Sequence, residues 1–202
     1  MAWGKLASVT SGTPVTNANI TSPVFTPSEF MQEVAYLSDT PASNHVAYLR
    51  MGTDTIDTGN NYAFRYKEVN TADTSSGVSD YSRIRCGGDG GFDLQINDFC
   101  NIDGKQTFVL SRDVRVYSSQ TTSAHLPDHR VTRGKWITTT QANIIQANCS
   151  GIGSRQYLAG SQINLIGSEG GGLTENITDG AIFYETDTNK EFILSNNIWT
   201  EL

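Results

Sequence analysis

The chain is expected to fold as an all-β, jelly-roll-like β-sandwich with a small three-stranded β meander at its C-terminal end. Three observations predict this. Strand-like runs recur at intervals of about ten to fifteen residues, separated by Gly, Asn, Asp and Pro clusters. No segment sustains a 3.6-residue apolar period over a helix length. Charged residues make up 17% of the 202 residues, below the usual quarter. Thr, Ser, Asn and Gln must therefore supply the polar surface, and that composition favours strands and turns.

The elements follow in chain order. Residues 3–9 open the body. Residues 20–25 follow, interrupted by Pro23, which suits an edge strand. Residues 30–37 and 45–51 are the next two runs. Over residues 62–68, Tyr62, Phe64 and Tyr66 share one face, and Ala63, Arg65 and Lys67 the other. Residues 81–85 form a short run, and residues 92–99 alternate through Phe92, Leu94 and Ile96. Residues 106–117 set Phe108 and Leu110 against Val109. Residues 142–149 and 161–166 close the body. About eight to ten strands in about 165 residues suit a two-sheet jelly roll. Turn chemistry fills residues 38–44, 57–61, 87–91 and 103–104. Two polar connections, 70–80 and 118–135, are long enough to serve as binding surface or to order against a partner.

Gly167-Ser-Glu-Gly-Gly-Gly-Leu-Thr174 reads as a flexible linker. It divides a body of residues 1–167 from a meander of residues 175–202, with residues 168–174 between them. Strands are expected at 181–185, 191–194 and 198–200, with turns at 187–190 and 195–197. A meander this small is marginal alone in water. Its apolar face, drawn from Ile182, Tyr184, Phe192, Leu194 and Trp199, must rest on the body or on a neighbouring subunit.

The formal net charge is −7 and no basic tract is present, which argues against wrapping nucleic-acid phosphate. No apolar run approaches a membrane span. The start, Met1-Ala-Trp-Gly-Lys5, lacks the apolar core of a signal peptide. Use without Sec export is the expectation. Cys86, Cys100 and Cys149 are odd in number and widely spaced, so they read as small buried apolar residues rather than a disulfide framework or a zinc site. The glycosylation patterns at Asn19, Asn148 and Asn176 are read as chance.

No constellation points to catalysis. His125 and His129 flank Asp128, but Pro127 between them denies the helix that metal geometry needs. Residues 87–91, with Asp89 and Asp93 nearby, suit a hairpin turn better than a phosphate loop or a calcium site. Arg112, Arg115, Arg130, Arg133 and Lys135 form the densest basic group, diluted by Asp113 and Asp128. That group suits inter-subunit salt bridges, a carboxylate seat or solvated surface. No Gly-x-Ser-x-Gly elbow occurs, and Glu185 with Asp187 is explained by turn formation. No catalytic, cofactor-binding or metal residue is expected, and the chain is read as a non-enzyme.

Two segments carry resemblances. Gly180-Ala-Ile-Phe-Tyr-Glu-Thr-Asp-Thr-Asn-Lys190, followed by the Asn196-Asn197 turn and Trp199, resembles a short β module that recurs in bacteriophage structural proteins. The body holds Met1-Ala-Trp-Gly-Lys-Leu6, Ile56-Asp-Thr-Gly-Asn-Asn-Tyr-Ala-Phe-Arg65, Arg133-Gly-Lys-Trp136 and Ala142-Asn-Ile-Ile-Gln-Ala-Asn148, in that order. These islands are similar to a family of small β-rich virion proteins from environmental tailed phages. The chain departs from that pattern at Ile56, where the family has Asn, and over residues 70–92. The resemblance implies a non-enzymatic virion protein assembled in the host cytoplasm. A capsid decoration protein is expected, binding the outer capsid surface as an oligomer, with a trimer favoured. Its partners would be the major capsid protein or other virion subunits, without cofactor, nucleic acid or membrane. Phe183, Tyr184, Phe192 and Trp199 would be the aromatic anchors of a subunit or capsid contact. The alternative is a tail- or fibre-associated protein that binds host glycans, with Tyr81, Tyr117 and Trp136 stacking on sugar rings. Trp3 and Trp136 are large enough to act as packing anchors.

Overall fold

The computed structural model describes residues 3–12, 19–38, 45–68, 76–86, 92–116, 128–151, 157–168, 182–185, 190–195 and 198–201. Every regular element among them is a strand. The body holds β1 (Trp3–Thr10), β2 (Asn19–Thr21), β3 (Phe30–Ser38), β4 (His45–Thr53), β5 (Thr55–Ile56), β6 (Tyr62–Glu68) and β7 (Ser76–Tyr81). It continues through β8 (Ile84–Arg85), β9 (Phe92–Cys100), β10 (Thr107–Val116), β11 (Asp128–Trp136), β12 (Ile144–Gly151) and β13 (Gln162–Ser168). The C-terminal strands are β14 (Ile182–Glu185), β15 (Lys190–Ser195) and β16 (Ile198–Glu201). Contacts divide the chain into two units, Lys5–Gly167 and Met1–Gly4 with Ser168–Leu202.

The body is a β-sandwich. Its larger sheet has eight strands in the order β1-β13-β3-β9-β10-β11-β6-β7. Its smaller sheet runs β2-β12-β4-β5, with β8 also paired to β4. The chain passes repeatedly from one sheet to the other, the jelly-roll-like feature. β2 lies at a sheet edge, as Pro23 requires, and stops at Thr21 rather than running to residue 25.

Three expectations on the body are corrected. Among the described residues the body's strands number thirteen, because the run over residues 81–85 divides between two strands and β5 and β11 form where the sequence presents no run. The run over residues 81–85 is two strands in different sheets: Tyr81 ends β7, and Ile84–Arg85 crosses to pair with Tyr48 and Leu49 of β4. The long connections are shorter than read. β7 occupies the end of one, and β11 occupies residues 128–136, inserted between β10 and β6. The sequence-defined linker begins within β13, whose last residue, Ser168, is buried. Residues 169–174 lie outside the described residues.

The interior follows from the register of the large sheet. One inward row crosses five strands as Met31, Phe99, Val109, Gly134 and Phe64. Facing it from the small sheet are Leu49, Met51, Ile84, Ile145 and Ala147, all buried. Gly134 is required here: a Cβ would stand 2.7 Å from Ile84 Cδ1. Asn101, fully buried, ties the end of β9 to the approach to β12. Its Nδ2 donates to the carbonyls of Ser28 (3.1 Å) and Ala142 (3.0 Å). Its Oδ1 accepts from Ala142 N (2.8 Å) and Thr107 Oγ1 (3.0 Å). A buried amide satisfied on both ends costs little and fixes its neighbours.

The meander forms as expected, with β14, β15 and β16 antiparallel in chain order. Phe183 pairs with Phe192, Ile182 with Ile193, and Leu194 with Trp199. An exposed ion pair, Lys190 Nζ to Glu201 Oε2 at 2.8 Å, ties β15 to β16. The first turn, 186–189, and the second, 196–197, lie outside the described residues.

Candidate functional site

Alternating strands ordinarily turn their apolar face inward. β9 does the reverse. Asp93, Gln95 and Asn97 are buried, while Phe92 and Leu94 are exposed and Ile96 is half-buried. β10 repeats the inversion, with Ser111, Asp113 and Arg115 inside and Phe108, Leu110 and Val114 outside. From β3, Phe30 and Tyr36 join the outer set. These strands are adjacent in the sheet, so the outward residues form one surface. Tyr36, Leu94 and Val114 stand side by side in one row, and Phe30, Cys100 and Phe108 in another. The Tyr36 and Phe92 rings stack with centroids 6.4 Å apart. Seven of these side chains are 39–55% exposed. A monomer seldom shows an apolar surface this continuous without using it.

A polar clasp crosses the middle of that surface. Gln32 Nε2 donates to Asp98 Oδ1 at 2.7 Å, and Arg112 is paired with Asp98 Oδ2. β11 and β6 flank it with exposed Arg133 and Arg65, register neighbours, and with Lys67 and half-buried Lys135. The face thus carries apolar rows on either side of a central polar clasp and is basic along one side, on a chain of net charge −7.

Beneath the apolar face lies the polar half of the interior. One inward row runs Glu33, Asn97, Ser111, Thr132 and Tyr66. The next runs Ala35, Gln95, Asp113 and Arg130. Asn97 Nδ2 donates to Glu33 Oε2 at 2.7 Å. Burial pushes the Glu33 carboxyl up to about 7, against that hydrogen bond. Burial, with the Asp93 charge beside it, pushes Asp113 up to about 8, although Arg115 and Arg85 pull the other way. Burial lowers Arg130 to about 10. The Arg85 and Arg130 guanidinium carbons each lie 4.8 Å from the Tyr66 ring centre, where the ring face attracts cations. Glu33 and Asp113 are only 1% and 2% exposed, so these titrating carboxyls are sealed from any substrate.

This layer corrects the basic group read from sequence. Asp113, Arg115 and Arg130 point into the sandwich, whereas Arg112 and Arg133 are exposed. These five residues are two sets on opposite faces of one sheet, not one patch.

A second constellation joins two of the sequence islands. Asp57 Oδ2 accepts from Trp136 Nε1 (2.7 Å) and Asn61 Nδ2 (2.9 Å), and Oδ1 accepts from Gly59 N (2.8 Å). Burial works against the charge, but these hydrogen bonds, Trp136 first, outweigh it and hold the carboxyl below its usual value. The Tyr62 hydroxyl donates to the Met51 carbonyl at 2.7 Å and accepts from Met51 N at 3.1 Å. An open cavity of about 460 Å³ beside Asp57 is lined by Thr53, Thr55, Asn61, Thr138 and Thr140. The carboxylate there is already occupied on both oxygens, which makes it a structural clasp.

The remaining sequence-derived residues divide. Trp136 is 2% exposed and cannot stack on a sugar. Tyr81 is half-buried, its ring edge-on to Phe64 at 5.8 Å. Tyr117 lies outside the described residues. Trp3, expected to be a packing anchor, is 52% exposed. Cys86 and Cys149 are buried, whereas Cys100 is only partly so. His129 is exposed on β11, and His125 lies outside the described residues. Of the meander anchors, Phe192 is half-buried. Phe183 and Trp199 hold the register described above, and Tyr184 is paired with Glu191, one step out of phase. The side chains of Phe183, Tyr184 and Trp199 lie outside the described residues. Neither a protein-family model nor a curated protein matches the chain.

Proposed function

We propose that the chain is a non-enzymatic structural protein of a bacteriophage particle, a decoration protein that attaches to the outer capsid surface as an oligomer. The phage assignment is supported by the sequence islands and the terminal module. The observation that carries an assembly role is the outward apolar face of β3, β9 and β10, a surface whose exposure is costly in water. Repetition around a shell would turn a modest contact per copy into firm attachment. The titrating carboxyls beneath that face are sealed, which fits a structural rather than a catalytic use.

Quantitative mass spectrometry of purified particles tests this. On the order of hundreds of copies, in simple ratio to the major capsid protein, is the expected result for a shell component. A handful of copies would move the protein to the tail and favour the glycan-binding reading. Absence from the particle would sink the proposal.

A further inference from the structure

We infer that the apolar outer face of β3, β9 and β10 is the contact between two copies of this chain, packed sheet on sheet about a two-fold axis. This rests on the structural reading above, yet it concerns the isolated protein and needs no capsid.

The area is sufficient. Seven side chains at 39–55% exposure, each offering roughly 150–200 Å² when free, leave roughly 500–600 Å² of apolar surface. A standard interface buries about 800 Å² per partner, and homodimer interfaces are about 65% apolar. The face therefore supplies about what a stable dimer needs, and its polar remainder lies at the clasp and the basic flank.

The charges select the arrangement. Asp98 and Arg112 are diagonal neighbours in the centre of the face: Ile96 pairs with Arg112, and Asp98 with Leu110. An axis running across the strands would lay the Arg65 and Arg133 flank on its own copy. An axis along β9 would lay Asp98 on Asp98, and one along β10 would lay Arg112 on Arg112. An axis parallel to the strands between β9 and β10 avoids all three repulsions. It sets Leu94 against the other copy's Val114, and Cys100 against its Phe108. It also brings each Asp98 beside the other copy's Arg112, so the ion pair within each chain can be shared between chains. Sheets packed this way lie about 10 Å apart. Two-fold pairing through this face leaves any three-fold assembly to other surfaces.

Sedimentation equilibrium on the full chain decides the matter. Wild type is expected at twice the chain mass. Leu94→Lys, at an exposed site, should weaken association at least about thirtyfold, because the substitution occurs twice across a two-fold contact. Arg112→Glu alone and Asp98→Arg alone should each be monomeric, and an equimolar mixture of the two should pair. A cooperative thermal transition and an unaltered circular dichroism spectrum show that each variant is folded. A monomeric or trimeric wild type, a dimer indifferent to Leu94→Lys, or a mixture no better than its separate parts would overturn the inference. A monomer that is nonetheless abundant on particles would overturn this pairing and leave the proposed function standing. A dimer absent from particles would do the reverse.

Discussion

Glu33→Gln should make the body less sensitive to alkali. Glu33 is 1% exposed and holds one hydrogen bond, from Asn97 at 2.7 Å. Its carboxyl rises from 4.5 to about 7 on folding, chiefly through burial. Below 4.5 both states hold the proton, so the stability contributed by the neutral form is fully present. Between 4.5 and about 7 the unfolded chain ionises while the folded chain does not, and each pH unit removes about 1.4 kcal/mol. Above about 7 the loss is complete, at about 3 kcal/mol. Asp113, raised to about 8, acts in the same direction, while Arg85 and Arg115 hold it in check. Glutamine keeps the shape and an acceptor for Asn97 but cannot ionise. Urea unfolding at about pH 5 and about pH 8 measures the difference by linear extrapolation. Wild type should lose about 2–3 kcal/mol more than Glu33→Gln over that interval. An equal loss in both proteins would mean that Glu33 does not titrate in the folded interior.

Other perturbations have equally definite outcomes. Asp57→Asn should cost about 1.5–3 kcal/mol, the worth of hydrogen bonds to a charged group, read by urea unfolding at neutral pH. Because the Asp57 carboxyl is held below its usual value, its contribution is present above about pH 4 and fades as pH falls further, so the variant should be flatter in acid. Gly134→Ala should destabilise by about 1–3 kcal/mol through overpacking against Ile84, and the double variant with Ile84→Ala should lose less than the two singles together. Gly52→Ala should be worse, since the added Cβ would meet the backbone carbonyl of Thr55, which cannot swing aside. Truncation after Ser168 should leave a cooperatively folding body, checked by circular dichroism, while particle binding tests whether the meander contributes to attachment.

The two-sheet architecture was legible because period-two alternation survives in most strands. Tyr62, Phe64 and Tyr66 point as their spacing demands. Alternation alone does not say which face is inside. In β9 the sequence reads Phe-Asp-Leu-Gln-Ile-Asn, and the eye assigns Phe92, Leu94 and Ile96 to the core; the structure buries the other three. β11 was invisible for a related reason. Its inward residues are Arg130, Thr132, Gly134 and Trp136, and its outward ones include His129, Arg133 and Lys135, so neither set is an apolar stripe. Asp57 gave no signal as a site because its partner Trp136 lies 79 residues away in the chain.

The inversion of β9 has a consequence for how the chain finds its fold. A slip of one residue along β3 and β10 would send Phe92, Leu94 and Ile96 inward, the destination that hydrophobicity prefers. The native alignment is therefore held by Phe99, inward between Met31 and Val109, together with polar matching: Asn97 with Glu33 on one side of the strand, and Asp98 with Gln32 and Arg112 on the other. A competing, better-oiled pairing is a kinetic trap of the kind that long-range strand topologies are prone to. Refolding from urea should accordingly be slow and concentration-sensitive.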